Sequence, residues 1–374
     1  MKAWTWAVPV VIAAVLRLSA LGPVPAGHAS GEVHWATATA GVAAVVPAMW
    51  LGHALFGTRA AAMSAGLLVA VSPWHLAVTR GSHDAAWVVL GTFIMVAGIV
   101  SLVRATAPGT GTTGVPLALA VAATAGGGAL CAWGDPNGAI AAVAIGALTP
   151  LALGAATGAY RRSATAAIIV VTVALIAMAP DAWLGTGVPG DLIPDVAAEV
   201  NGVSARRLAA DDGGVVGALQ APWAITARTR IAAQASHYDP TFLFTRGPGD
   251  GPMRPAGHGT LGLAELPLVV GGGVAALTAI WTWRRANPHL AGWCVALAIL
   301  AAGPIPASIT GSSADATRAI AMLPGIVLLE AGAVSAIWPR VVRRRLTVEA
   351  AMAVAVAVGA WAHGYVVHQS VTSR

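Results

Sequence analysis

Apolar runs of about twenty residues recur from one end of the chain to the other, and their length decides what the chain can fold into. A helix rises about 1.5 Å per residue, so such a run crosses the hydrocarbon core of a bilayer. In lipid the backbone must satisfy its own hydrogen bonds, and a helix does this within one segment. The sequence predicts about eleven spans, near 3–21, 37–56, 61–78, 85–103, 115–132, 138–158, 163–180, 263–283, 289–309, 319–338 and 347–366. Gly, Pro and Arg punctuate them. The composition, 57% hydrophobic and 10% charged, is too apolar for a soluble domain of 374 residues. The expected fold class is an all-α polytopic membrane protein with one long extracytoplasmic loop subdomain. It divides into an N-terminal membrane module at 1–180, the loop at 181–262 and C-terminal helices at 263–374.

The net charge of +6 is distributed as membrane topology requires, and nucleic acid is not the expected partner. With the amino terminus inside, Lys2, Arg59, Arg104, Arg161, Arg162, Arg284, Arg285, Arg340 and Arg343 to Arg345 all fall on cytoplasmic ends. The short outer loops hold fewer: Arg17, Arg80 and Arg318. This asymmetry predicts a multi-pass protein of the plasma membrane with its long loop outside. The start, MKAWTWAVPVVIAAVLRLSALGPVPAGHA, shares features with a cleaved signal peptide, but an uncleaved first helix keeps the topology consistent. Two cysteines, Cys131 and Cys294, do not make a disulfide framework, and no metal-type Cys/His spacing occurs.

Residues 181–262 form the long polar excursion. Within it, Ile225 to Tyr238 has apolar residues at helical spacing, which suits a helix in the membrane interface or an amphipathic helix packed within the loop. Thr245 to Gly262 is rich in Gly and Pro and reads as turns and open backbone. The Gly and Ala abundance elsewhere fits close packing of membrane helices.

All of the fifteen acidic residues except Glu330 and Glu349 lie at or beyond outer helix ends. A general base acting on a lipid-borne substrate would sit there, and so would ordinary loop charge. Asp84 closes SPWHLAVTRGSHD (Ser72 to Asp84), where Arg80 and His83 gather at a helix start. As a first-turn residue it also complements the helix dipole. Glu32 lies between His28 and His34 in the first outer loop. Arg318 opens a late helix, where a guanidinium either holds a phosphate through paired donors or anchors the helix at the interface. Tyr238, Arg246, Arg254 and His258 surround HYDPTFLF and GPMRPAGHG, a mixture suited to sugar and phosphate and equally to anchoring the loop. Glu330 lies about three turns deeper in its helix, where an unpaired charge is costly, and is expected to be a structural polar contact.

Four stretches carry a family likeness: RLSALGPVPAGHASGE, LFGTRAAAMSAGLLVAVSPWHLAVTRGSHD, HYDPTFLFTRGPGDGPMRPAGHG and PIPASITGSSADATRAIAMLPG. In content and order they resemble the C-type membrane glycosyltransferases, glycosyltransferase family 39 with the protein mannosyltransferase and aminoarabinose transferase relatives. The resemblance implies transfer of a sugar from a polyprenyl-phosphate donor to a lipid, glycan or protein acceptor, among membrane lipids. It implies Glu32 and Asp84 as catalytic carboxylates, and Arg318 and Arg246 on the donor phosphate. Arg80, His83, Tyr238 and His258 then contact substrate. No metal ligand and no certain cofactor follows, although the chemistry admits a divalent cation. The family's first outer loop ends in an Asp-Glu pair, whereas Gly31 stands here at the Asp position before Glu32, and the loop is short. That departure leaves open an inactive scaffold or carrier of lipid-linked sugars; a second rival is a small-solute transporter, hinted at by Glu330 and the glycine runs at 126–128 and 271–273.

Overall fold

Gly57 and Thr58 show how a short polar break between apolar helices is built. Gly57 sits at φ 68°, the left-handed conformation that closes a helix, and its N–H bonds to the His53 carbonyl at 2.8 Å. Thr58 is extended and its hydroxyl oxygen accepts from the Ala61 N–H at 3.1 Å, capping the next helix. One residue ends a helix and its neighbour starts another.

The computed structural model describes residues 4–18, 34–81, 83–105, 117–134, 136–158, 222–245, 259–282, 289–310 and 315–343. In chain order the helices are α1 (Trp4–Leu18), α2 (His34–Ala43), α3 (Val45–Phe56), α4 (Arg59–Val71), α5 (Pro73–Gly81), α6 (His83–Ala105), α7 (Leu117–Gly134) and α8 (Pro136–Thr157). After these come α9 (Pro222–Ser236), α10 (Leu266–Thr282), α11 (Leu290–Ala302), α12 (Ile305–Thr310) and α13 (Leu323–Arg343). Short turns of tighter or wider helix cover Leu263–Glu265, Ile320–Met322 and Thr241–Thr245. No strand occurs among the described residues.

Six helical stretches among them are long and apolar enough to cross a membrane: Trp35–Phe56, Ala85–Ala105, Asn137–Thr157, Leu263–Thr282, Leu290–Ile309 and Ile320–Trp338. A seventh follows if α4 and the start of α5, bent by 50° at their junction, make one broken span. Ala7–Leu18 and Leu117–Trp133 are shorter apolar helices. An all-α membrane protein is therefore what the chain builds. The spans expected at 163–180 and 347–366, and most of the 181–262 subdomain, lie outside the described residues.

Helices in lipid gain little from hiding apolar surface and associate through close packing instead. Here small residues allow that approach. A Cβ on Gly98 would lie 2.4 Å from the Thr124 nitrogen, and one on Gly127 would lie 2.4 Å from the Met95 nitrogen. Thus α6 and α7 touch backbone to backbone. Gly272 on α10 is set against the Leu329 carbonyl of α13 in the same way, at 2.5 Å from its Cβ position. In each glycine run it is the middle residue that is needed: Gly126, Gly271 and Gly273 have nothing within 4 Å of a Cβ. Inside, Phe56 meets Trp293 edge to face with centroids 5.1 Å apart, within a core that also buries Phe93, Met95 and Ile99. Polar stitches at helix ends complete the packing: the Thr58 and Ser335 hydroxyls bond at 2.8 Å, and Arg104 donates to the Ala54 carbonyl near the end of α3.

Candidate functional site

Two prolines organise the polar groups. Proline has no N–H, so Pro73 cannot bond the Val69 carbonyl four residues back, and the 50° bend that follows also strands Ala70. The last bond of α4 is Ser72 N–H to Leu68, at 2.8 Å. Arg17, from the last turn of α1, fills the gap. Its guanidinium donates to the Val69 carbonyl at 3.0 Å, to Ala70 at 3.1 Å and to His75 Nδ1 at 2.8 Å. Arginine only donates, so Nδ1 accepts in that bond; the same nitrogen lies 2.9 Å from the Val69 carbonyl, to which it donates in the other tautomer. The sequence placed Arg17 in an outer loop; it is instead 2% exposed, inside the bundle. Its charge lies at the negative end of α4, where a cation is favoured.

The second proline, Pro304, does the same between α11 and α12. It leaves the Leu300 carbonyl unbonded, and the Tyr238 hydroxyl donates to that oxygen at 2.6 Å. Gln234 donates to the neighbouring Ala301 carbonyl at 2.8 Å, and Arg230 to Ser308 at 2.9 Å. Residues 230, 234 and 238 are spaced four apart and share one side of α9 and its extension. That side docks on the α11–α12 break. Burial pushes the Tyr238 phenol up, partly offset by its bond with Gln234.

Between the two breaks the polar segments lock together. His237 is buried; its Nδ1 donates to the Ala233 carbonyl at 2.8 Å and its Nε2 accepts from the Asp315 N–H at 3.2 Å. Burial, opposed by the Ala233 bond and the nearby Asp315 charge, holds its pKa below the usual histidine range. Its ring stands edge to face on Phe242, which stands likewise on Trp74. Trp74 in turn donates from Nε1 to the Ala316 carbonyl at 3.2 Å. Asp315 caps the following turn, with Oδ1 accepting from the Thr317 and Arg318 N–H groups at 2.8 and 3.1 Å. Its Oδ2 lies 3.5 Å from Arg318 Nε. The 259–265 segment closes the ring, since Thr260 and Leu261 bond back to the Phe242 and Leu243 carbonyls.

The residues singled out from sequence distribute as follows. Arg318 lies in the Asp315 turn, with its side chain 40% exposed. Tyr238 is committed through its hydroxyl to Leu300. Arg80 falls in the last turn of α5, and His83 and Asp84 are the first two residues of α6, which packs on the Ile320–Met322 turn. Glu32, Arg246 and His258 lie outside the described residues. Among the described residues no group of three His, Cys, Asp or Glu converges on a point, and both cysteines are buried thiols.

Sequence reasoning missed the cap made by Arg17, and it missed His75, His237 and Asp315. The signal for Arg17 was present in part: a proline inside an apolar run leaves carbonyls that some distant donor must meet. Glu265 was not singled out either. It is 6% exposed and opens α10, and Glu330, 1% exposed, lies one residue beyond the Leu329 contact of that helix. No family model, curated protein or solved structure matches the chain.

Proposed function

We propose that the protein is a membrane glycosyltransferase that moves a sugar from a polyprenyl-phosphate donor to an acceptor at the extracytoplasmic face of the plasma membrane. The observation that carries this reading is the bond from Trp74 Nε1 to the Ala316 carbonyl. It ties the SPWHLAVTRGSHD segment to the turn bearing Arg318, two stretches 242 residues apart in sequence. One supplies a carboxylate at the start of α6, and the other supplies a half-exposed guanidinium.

In this reading Asp84 or Glu32 takes the proton of the acceptor hydroxyl as its oxygen attacks the anomeric carbon. The bond from that carbon to the phosphate oxygen breaks with its electron pair left on the phosphate. Arg318 and Arg246 stabilise the charge that develops there. Arg80, His83, Tyr238 and His258 orient the two substrates. A single displacement inverts the anomeric configuration.

The test supplies purified protein with polyprenyl-phosphate sugars and a mixed acceptor pool, and compares Glu32→Gln, Asp84→Asn and Arg318→Ala. Loss of the true base lowers transfer by about 10²-fold or more. Transfer indifferent to both carboxylate changes removes the site assignment. Donor binding without transfer to any acceptor supports instead a carrier of lipid-linked sugars, the reading that Gly31 favours.

A further inference from the structure

Asp315 does more than its turn requires. Closing the turn takes one acceptor, and Oδ1 provides it to the Thr317 and Arg318 N–H groups at 2.8 and 3.1 Å. The second oxygen, Oδ2, lies 3.5 Å from Arg318 Nε. One carboxylate thus holds both the backbone and the guanidinium of the residue three positions on. The peptide groups around Asp315 are fixed in turn by buried rings. Its N–H meets His237 Nε2 at 3.2 Å, and the next carbonyl, that of Ala316, meets Trp74 Nε1 at 3.2 Å. His237 and Trp74 are 0% and 3% exposed, and both stand edge to face on Phe242. A partly exposed carboxylate is therefore carried on backbone that two interior rings hold in place.

Energy does not account for the pairing. The Arg318 and Asp315 side chains are 40% and 41% exposed, and an ion pair so open to water adds little to stability. What the pairing supplies is direction. A guanidinium is a planar fork, and it grips a phosphate through paired donors only when its plane is correctly set. An unsupported arginine side chain samples many rotamers. Holding one of its donors on a fixed carboxylate removes most of them before a ligand arrives.

We propose, resting on the sugar-transfer reading above, that Asp315 is a positioning residue that aims Arg318 at the phosphate of the lipid-linked donor. Its charge also repels a phosphate, but with both groups this exposed, water and salt screen that repulsion. The loss of orientation outweighs it when the carboxylate is neutralised. The test reads binding and does not need turnover. Full-length protein in lipid nanodiscs is titrated with polyprenyl phosphate, the product that transfer leaves behind, with the matching polyprenyl alcohol as the phosphate-free control. Kd and thermal midpoint are measured for the parent, Asp315→Asn, Arg318→Ala and the double variant. Asparagine keeps a carbonyl oxygen for the two N–H groups and turns an amide toward Arg318, so it spares the turn and removes the pairing.

The expected result is a Kd about tenfold weaker in Asp315→Asn with a thermal midpoint near the parent's, and no further weakening when the change is added to Arg318→Ala. Asp315→Ser, whose hydroxyl also caps a turn, repeats the measurement should Asp315→Asn fail to fold. If Arg318→Ala binds weakly while Asp315→Asn binds as tightly as the parent or more so, the proposal is overturned and the sugar-transfer reading stands. Equal weakening with Arg318 present or absent overturns it as well, because Asp315 then acts on the turn or the ligand directly. A parent protein that does not distinguish the phosphate from the alcohol removes both the proposal and the reading beneath it.

Discussion

Arg17 is the residue on which most of the local order depends, because it answers two carbonyls at once. Removing its head group leaves the Ala70 carbonyl a buried acceptor without a donor, costing about 1–3 kcal/mol, while the Val69 carbonyl keeps His75 Nδ1 at 2.9 Å. Arg17→Met should therefore lower stability by about 1–3 kcal/mol, read as a drop in thermal midpoint in detergent. Arg17→Lys should recover only part of it, since a point charge does not reproduce a planar fork. His237 gives a prediction with a sign. Its pKa is depressed in the folded protein, chiefly by burial, so the unfolded chain binds the extra proton first. Stability is then fully present above the unfolded value of about 6.5 and is lost as pH falls below it toward the folded value. Protonation also destroys the acceptor at Nε2 that meets the Asp315 N–H. Thermal midpoints measured from pH 8 down to pH 5 should fall, and His237→Phe should flatten the part of that slope due to this residue.

At the scale of elements, the breaks carry more information than the helices they separate. The FGTR turn was readable in the sequence: Gly57 supplies a positive φ and Thr58 a cap, and both act locally. The break at Pro73 was half readable, because the proline shows where carbonyls are stranded but not which distant side chain covers them. Arg17 is 52 residues from Val69, and its apolar flanks and final position made it look like an ordinary helix-end charge. Asp84 and Arg318 were chosen as site residues from pattern and resemblance. What the fold adds is a bonded link between their segments at Trp74 and Ala316, which no local pattern encodes. The glycine runs separate similarly. Periodicity shows small residues but not which of three faces a neighbour, and packing answers that. Gly127→Val should push α7 off Met95 and cost about 1–3 kcal/mol. Gly126→Ala, with open space around it, should be neutral or slightly stabilising, since alanine favours the helix by about 1 kcal/mol. Thermal denaturation of the two variants side by side separates packing from helix propensity.

For the whole molecule the decisive quantity is sidedness, because the proposed base at the start of α6 could meet an extracytoplasmic lipid phosphate only if that end faces outward. Positive charge sets orientation through short loops, and the apolar spans then alternate. The described helices make a concrete test of this. Thr157, exposed near the end of α8, belongs to the cytoplasmic side in the proposed topology, and Ala235, exposed on α9, to the outer side. Both native cysteines are buried, so their background reaction with an impermeant maleimide should be small. In intact cells Ala235→Cys should react with that reagent and Thr157→Cys should not; permeabilisation should expose the second. The reverse pattern would turn the Trp74–Ala316 end toward the cytoplasm, and a donor headgroup on the outer face would then have no route to Asp84 or Arg318. Orientation thus links the charge pattern, which acts during insertion, to the proposed chemistry, which would need its carboxylate and guanidinium on the face where the lipid headgroup lies.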